Sequence, residues 1–196
     1  MNLYSVGKSA APDWSAVPSV PLKPCRWSPN PPPEAAARAV WSAERLLVRL
    51  DCFRAPERAE NTAPDSAVWE DSCLEFFFSF GGEDYVNLEG NANGALRASV
   101  GPDRYSRRFL RDLSLPQPRA SAERRENAWT LTLEIPAALI EGLYGETLRP
   151  GLHFCGNFYA CGDETPAPYY ASWNGVETET PDFHRPEYFG ELSLDN

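Results

Sequence analysis

VWEDSCLEFFFSFGGEDYVNLEGNANGALRASV, residues 68–100, is the stretch whose reading decides the fold. Successive side chains of an extended chain point to opposite sides, so alternation shows which residues share a face. In CLEFFFSF (73–80), Leu74, Phe76, Phe78 and Phe80 fall on one face, and Cys73, Glu75, Phe77 and Ser79 on the other. In YVNLEGN (85–91), Val86, Leu88 and Gly90 alternate with Tyr85, Asn87, Glu89 and Asn91. In ALRASV (95–100), Leu96, Ala98 and Val100 alternate with Ala95, Arg97 and Ser99. Three such runs separated by glycine-bearing connections predict an antiparallel meander.

Loop parity sets the register. A connection of two or four residues between the first two runs would place Asn87 and Glu89 among the phenylalanines. An odd loop such as Gly81-Gly82-Glu83 keeps Val86 and Leu88 with them instead. The same test favours Ala92-Asn93-Gly94 for the second turn, with Gly94 supplying a left-handed backbone. One apolar face and one polar face result. The polar face carries Glu75, Phe77, Asn87, Glu89, Arg97 and Ser99, with Arg97 nearly opposite Glu89.

Further runs flank the meander. Leu46, Val48, Leu50 and Cys52 alternate within 39–53, and Trp129, Leu131, Leu133 and Ile135 mark another strand. Pro136 opens one short helix over AALIEGLYG. In LHFCGNFYA (152–160), Phe154 and Phe158 point inward, with His153, Asn157 and Tyr159 opposite, and FGELSL closes the sheet. Nineteen prolines and 13 glycines suit turns and short strands rather than a helical bundle. A chain of 196 residues, 42% hydrophobic, suits one well-buried domain rather than two. The predicted fold is therefore all-β, an antiparallel β-sandwich with one short helix. Residues 1–38, with Pro29 and Pro31 to Pro33, are expected to form an extended arm that packs Trp14 and Trp27 onto a domain spanning 39–196.

The formal net charge of -10 argues against nucleic acid or an anionic membrane as a partner. No signal-peptide or membrane-spanning run is visible, and the five cysteines are odd in number, so a reduced, cytoplasmic protein is expected. His153, Cys155 and Cys161 match no usual structural zinc spacing and read as buried thiols beside a histidine.

A polar sheet face with aromatic residues at its rim suits a sugar. Sugar rings present C–H faces to aromatic planes, and their hydroxyls pair with carboxylates, amides and guanidinium groups. Trp69 lies just before the strand that carries Glu75, and Trp173 lies in the later loop YYASWNG. The two could clamp a ring, or each could pack a sandwich edge. Glu75 and Glu89 could instead form the acid and base of a glycoside hydrolase. Haem would have to use His153 and His184, since Met1 is the only methionine. A domain using its tryptophans to bind protein is the third alternative. PDFHRPE (181–187) has two readings: His184 and Arg185 could project into the ligand site, or Pro181 and Pro186 fix a rigid connector with Arg185 on a surface carboxylate, and the connector is preferred.

VWEDSCLEFFFSF followed by YVNLEGNANGAL resembles the family-nine carbohydrate-binding modules and their DOMON-like β-sandwich relatives. NFYACGDETPAPYYASWN and ETPDFHRPEYFGEL resemble the C-terminal half of a stand-alone branch of that group, so the likeness covers about residues 40–194. The resemblance implies a jelly-roll-like sandwich, without catalytic activity, that holds a terminal sugar between two tryptophans, often with a structural calcium ion. Trp69 and Glu75 match the module's first tryptophan and its sugar-binding glutamate, and Trp173 is the natural second tryptophan. Asn87, Glu89, Arg97 and Asn157 are expected to complete the polar contacts. Any calcium would draw on the acidic loops, with Asp65, Glu70, Asp71, Asp163 and Glu164 as candidate ligands. No other cofactor is implied.

Overall fold

Alternating runs joined by proline- and glycine-rich turns build strand after strand, and the computed structural model describes residues 1–196. The N-terminal third holds β1 (Leu3–Lys8), β2 (Val20–Pro24), β3 (Ala35–Trp41) and β4 (Arg45–Cys52). The meander follows as β5 (Cys73–Ser79), β6 (Tyr85–Asn91) and β7 (Leu96–Gly101), with the short β8 (Arg108–Phe109) beside it. Then come β9 (Arg119–Arg125), β10 (Ala128–Pro136), the helix α1 (Ala137–Tyr144), β11 (His153–Cys161), β12 (Tyr170–Ser172) and β13 (Gly190–Leu194). No helix is long and apolar enough to cross a membrane.

The strands form an all-β sandwich. One layer runs β8-β7-β6-β5-β11, with β12 and β13 sharing the far edge of β11; the other runs β2-β3-β4-β10-β9. In the meander Phe78 faces Val86, Phe76 faces Leu88, and Glu89 faces Arg97. That register centres the turns on Gly82 and Asn93, as odd loops require, and Gly94 has φ of 79°. Phe76, Phe78, Leu88 and Phe158 join Val48, Leu50, Leu131 and Leu133 in one continuous core. Each such side chain contributes roughly 1.5–3 kcal/mol by leaving water. The layers meet closely at Gly90, where a Cβ would lie 2.7 Å from a methyl carbon of Leu131.

The N-terminal segment departs from expectation. It is not an arm laid on a finished domain, because β1 and β2 belong to the sheets, and the expected boundary at 38 falls inside β3. Tyr4 and Val6 alternate into the core, while β1 pairs in parallel with β13 and then with β3. The sandwich is therefore mixed rather than purely antiparallel. Between them, β1 and β2 link the two layers along one side, since β2 pairs with both β12 and β3. Trp14 does pack on the domain, under the Arg49 guanidinium at 6.0 Å.

Candidate functional site

The outer face of β5, β6, β7 and β11 is not open to solvent. Loops fold across it and build a second apolar cluster that includes Val68, Phe77, Tyr85, Tyr159, Phe183 and Phe189. They leave a cavity of about 150 Å³ whose floor carries Glu75, Asn87 and Glu89, exposed by only 3%, 1% and 4%. The period-two pattern placed these three side by side, because residue 75 pairs with 89 and residue 77 with 87. Their burial comes from the loops.

Two neighbouring acids without water need partners. Arg107 Nε donates to Ser99 Oγ (3.1 Å), Ser99 Oγ to Asn87 Oδ1 (2.6 Å), and Asn87 Nδ2 to Glu89 Oε1 (2.5 Å). This chain fixes the Asn87 amide and aims its donor at Glu89. On the other side the Cys161 thiol donates to Glu75 Oε1 at 3.0 Å. Burial raises the pKa of both carboxyls, and the charge of Glu89 raises that of Glu75 further. The pair therefore holds a proton above the ordinary carboxylate range.

The walls are aromatic and cationic. Trp69 sits in a short turn (Val68–Glu70) tied to the 163–164 loop by backbone bonds, Asp163 N to Trp69 O and Glu164 N to Glu70 O, each 3.0 Å. The Arg97 guanidinium lies over Trp69 at 4.9 Å and over Phe109 at 5.0 Å. Trp27 also lines the cavity, packed on Tyr170 and Phe183. His184 hydrogen-bonds Tyr85 (2.8 Å) and packs against Phe77. Burial, reinforced by Arg107, Arg104 and Arg97, lowers its pKa to about 3, so the ring is neutral. Arg104 reaches within 3.6 Å of Asp182 at the rim.

Five of the seven candidate site residues thus meet around one cavity: Trp69, Glu75, Asn87, Glu89 and Arg97. Trp173 does not. It is 5% exposed and packs in the inter-sheet core against Tyr4 and Phe158, because its strand neighbourhood turns it inward. Asn157 is also excluded, since its amide is consumed by the Asn174 loop. Its Nδ2 donates to Asn174 O (2.8 Å), and its Oδ1 accepts from Phe158 N and Asn174 N. PDFHRPE is more than a connector, as Asp182, Phe183 and His184 form a cavity wall. Trp27, expected only to pack onto the domain, reaches the site unforeseen because it lies 42 positions before Trp69 in sequence, and no periodicity links two loops. His153 is exposed, pairs with Glu191 at 2.6 Å, and lies outside the cavity.

Two of the five acids proposed for calcium, Asp71 and Asp65, are committed to other partners. Asp71 accepts from Arg58, from Glu60 N and Asn61 N, and from Asn91, which uses both its oxygens. Asp65 accepts from Ala98 N (2.9 Å) and pairs with Arg111 (2.8 Å). Guanidinium and amide donors occupy the oxygens of these two residues where a hard cation would need them free.

A family model described as carbohydrate-binding family 9 matches residues 10–194. The chain belongs to carbohydrate-binding family 9. This family 9 domain is similar to a candidate carbohydrate-binding protein from Bacteroides uniformis ATCC 8492, with 27% identity and a TM-score of 0.82. That likeness covers 98% of this chain and 99% of that one. The domain shares its fold with a family 9 module from Caldicellulosiruptor kristjanssonii, solved with cellotriose (TM-score 0.68) and with glucose (0.69). Both are 13% identical and cover 99% of this chain, and 94% and 96% of theirs. No curated protein matches the sequence.

Proposed function

We propose that the family 9 domain binds a sugar or the end of a short glycan in this cavity, without catalysing its cleavage. The observation that carries the reading is the union of fully buried Glu75, Asn87 and Glu89 with Trp69 and Trp27 around one small cavity. The aromatic planes would contact the ring's C–H faces, and the carboxyl pair would exchange hydrogen bonds with its hydroxyls. A shared proton suits that task, since the floor then offers a donor as well as acceptors. Arg97, steadied by Trp69 and Phe109, would add a directed cation. Trp27 takes the place that Trp173 was expected to hold.

Geometry favours binding over hydrolysis. A glycosidase sets its two carboxyls on either side of the scissile bond. Glu75 and Glu89 are direct cross-strand neighbours on one sheet face, so both approach a ligand from the same side. The test is calorimetry and tryptophan fluorescence against a glycan panel that includes glucose and cellotriose. Saturable binding that Trp69→Ala weakens is expected. Silence across the panel, or release of cleaved product, would refute the reading.

A further inference from the structure

A separate constellation lies at the inner end of the cavity floor. The register of β5 and β11 sets Cys73 directly opposite Cys161, and Glu75 stands two residues along on the same face. Their ligand atoms, two sulfurs and one carboxylate oxygen, all lie within 4.8 Å of one another. We propose that Cys73, Glu75 and Cys161 form a binding site for a thiophilic divalent cation of the zinc class, with the cavity supplying its open fourth position.

Three features support the assignment. The donor set is soft, since two thiolates select zinc-like ions over calcium or magnesium. Three protein ligands with one exchangeable position is the arrangement that zinc adopts in open sites. An entry path exists, because Cys161 and Glu75 line the cavity while Cys73 lies behind them with no exposure. Bonds of about 2.3 Å to sulfur and 2.0–2.2 Å to oxygen require only a small contraction of the set. Asp163, on the same cavity wall, adds negative charge toward which a cation is drawn. A disulfide is the poorer use of this pair. Directly opposed Cβ atoms lie about 4.5–5.5 Å apart, against roughly 3.8 Å across a disulfide.

Burial pushes the Cys73 thiol up to about 12, so both sulfurs carry protons until a cation arrives. Binding one ion then breaks two S–H bonds, forms two metal–sulfur bonds and one metal–oxygen bond to Glu75, and releases two thiol protons to solvent, with the proton of the carboxyl pair left on Glu89 or lost to solvent as well. No oxidant or reductant enters. The spacing contains no paired-cysteine motif, which is why sequence inspection reads the cysteines as buried thiols. Cys155 is exposed rather than buried and His153 is held by Glu191, so neither joins the set.

The experiment titrates the reduced, chelator-treated full chain with cadmium(II), reading the thiolate-to-metal absorption band. One equivalent should saturate the band, and zinc(II) should remove it by competition. Cys161→Ser and Cys73→Ser should abolish it, while Cys155→Ser should leave it unchanged. Glu75→Gln should keep the band but weaken affinity at least tenfold. Absence of a band in the wild-type chain would overturn the proposal without reference to any variant, as would its loss in a Cys155→Ser chain whose circular dichroism shows it folded.

Discussion

The two faces of β5, β6 and β11 are equally buried yet built on different rules. On the inner face Phe76, Phe78, Leu88 and Phe158 need only matching volume from the opposite layer. On the outer face Glu75, Asn87 and Glu89 are as deeply covered, but each polar atom needs a partner placed within hydrogen-bond reach. Apolar burial is forgiving and can be read from a pattern. Polar burial depends on side chains such as Arg107 and Cys161, drawn from distant parts of the chain.

The sharpest way to break this comparison is to treat the two loop tryptophans alike. Trp173→Ala removes a core side chain and should cost about 3–5 kcal/mol in urea unfolding. Trp69→Ala should cost no more than about 1–2 kcal/mol while weakening sugar binding at least tenfold, or ~1.4 kcal/mol. Equal destabilisation by the two, with no binding change from Trp69→Ala, would erase the distinction between the faces.

Smaller effects sharpen it through pH. Glu75 and Glu89 have folded pKa values above their unfolded ones. Their stabilising contribution is thus complete below the unfolded value of about 4.3 and is lost as pH rises through the raised range. His184 acts in the opposite sense, present above 6.5 and lost as pH falls toward about 3. Glu75→Gln should therefore flatten the loss of stability on the alkaline side, and His184→Gln the loss on the acid side, in unfolding midpoints followed with pH. The smallest effect belongs to Ser99→Ala, which breaks the chain from Arg107 to Asn87. It should cost about 1 kcal/mol and weaken sugar binding several-fold, measured by the same unfolding and calorimetry.

Particular elements show where the sequence was legible. The meander was, because period two and loop parity leave a single register that buries the phenylalanines. β3 was not, since AAARAVW alternates alanines that carry little contrast. β9, RASAERR, is a charged edge strand whose pairing shows only when Thr130 to Glu134 lie beside it. β1 was hidden because its parallel partners lie at the far end of the chain and in β3. In the site, Glu75, Asn87, Glu89 and Arg97 were legible as one face and His184 as one of two readings of its loop, whereas Trp27 and the meeting of Cys73 with Cys161 were not.

By itself the sequence determined an all-β domain, the register of its central meander and the side on which its acids lie. These follow from backbone geometry that repeats every two residues. Only the tertiary structure decided that this side is roofed, that Trp27 rather than Trp173 faces the acids, and that two cysteines 88 positions apart in sequence stand together. Those outcomes depend on which loop closes over which face, and long-range closure is set by the whole fold rather than by any local period.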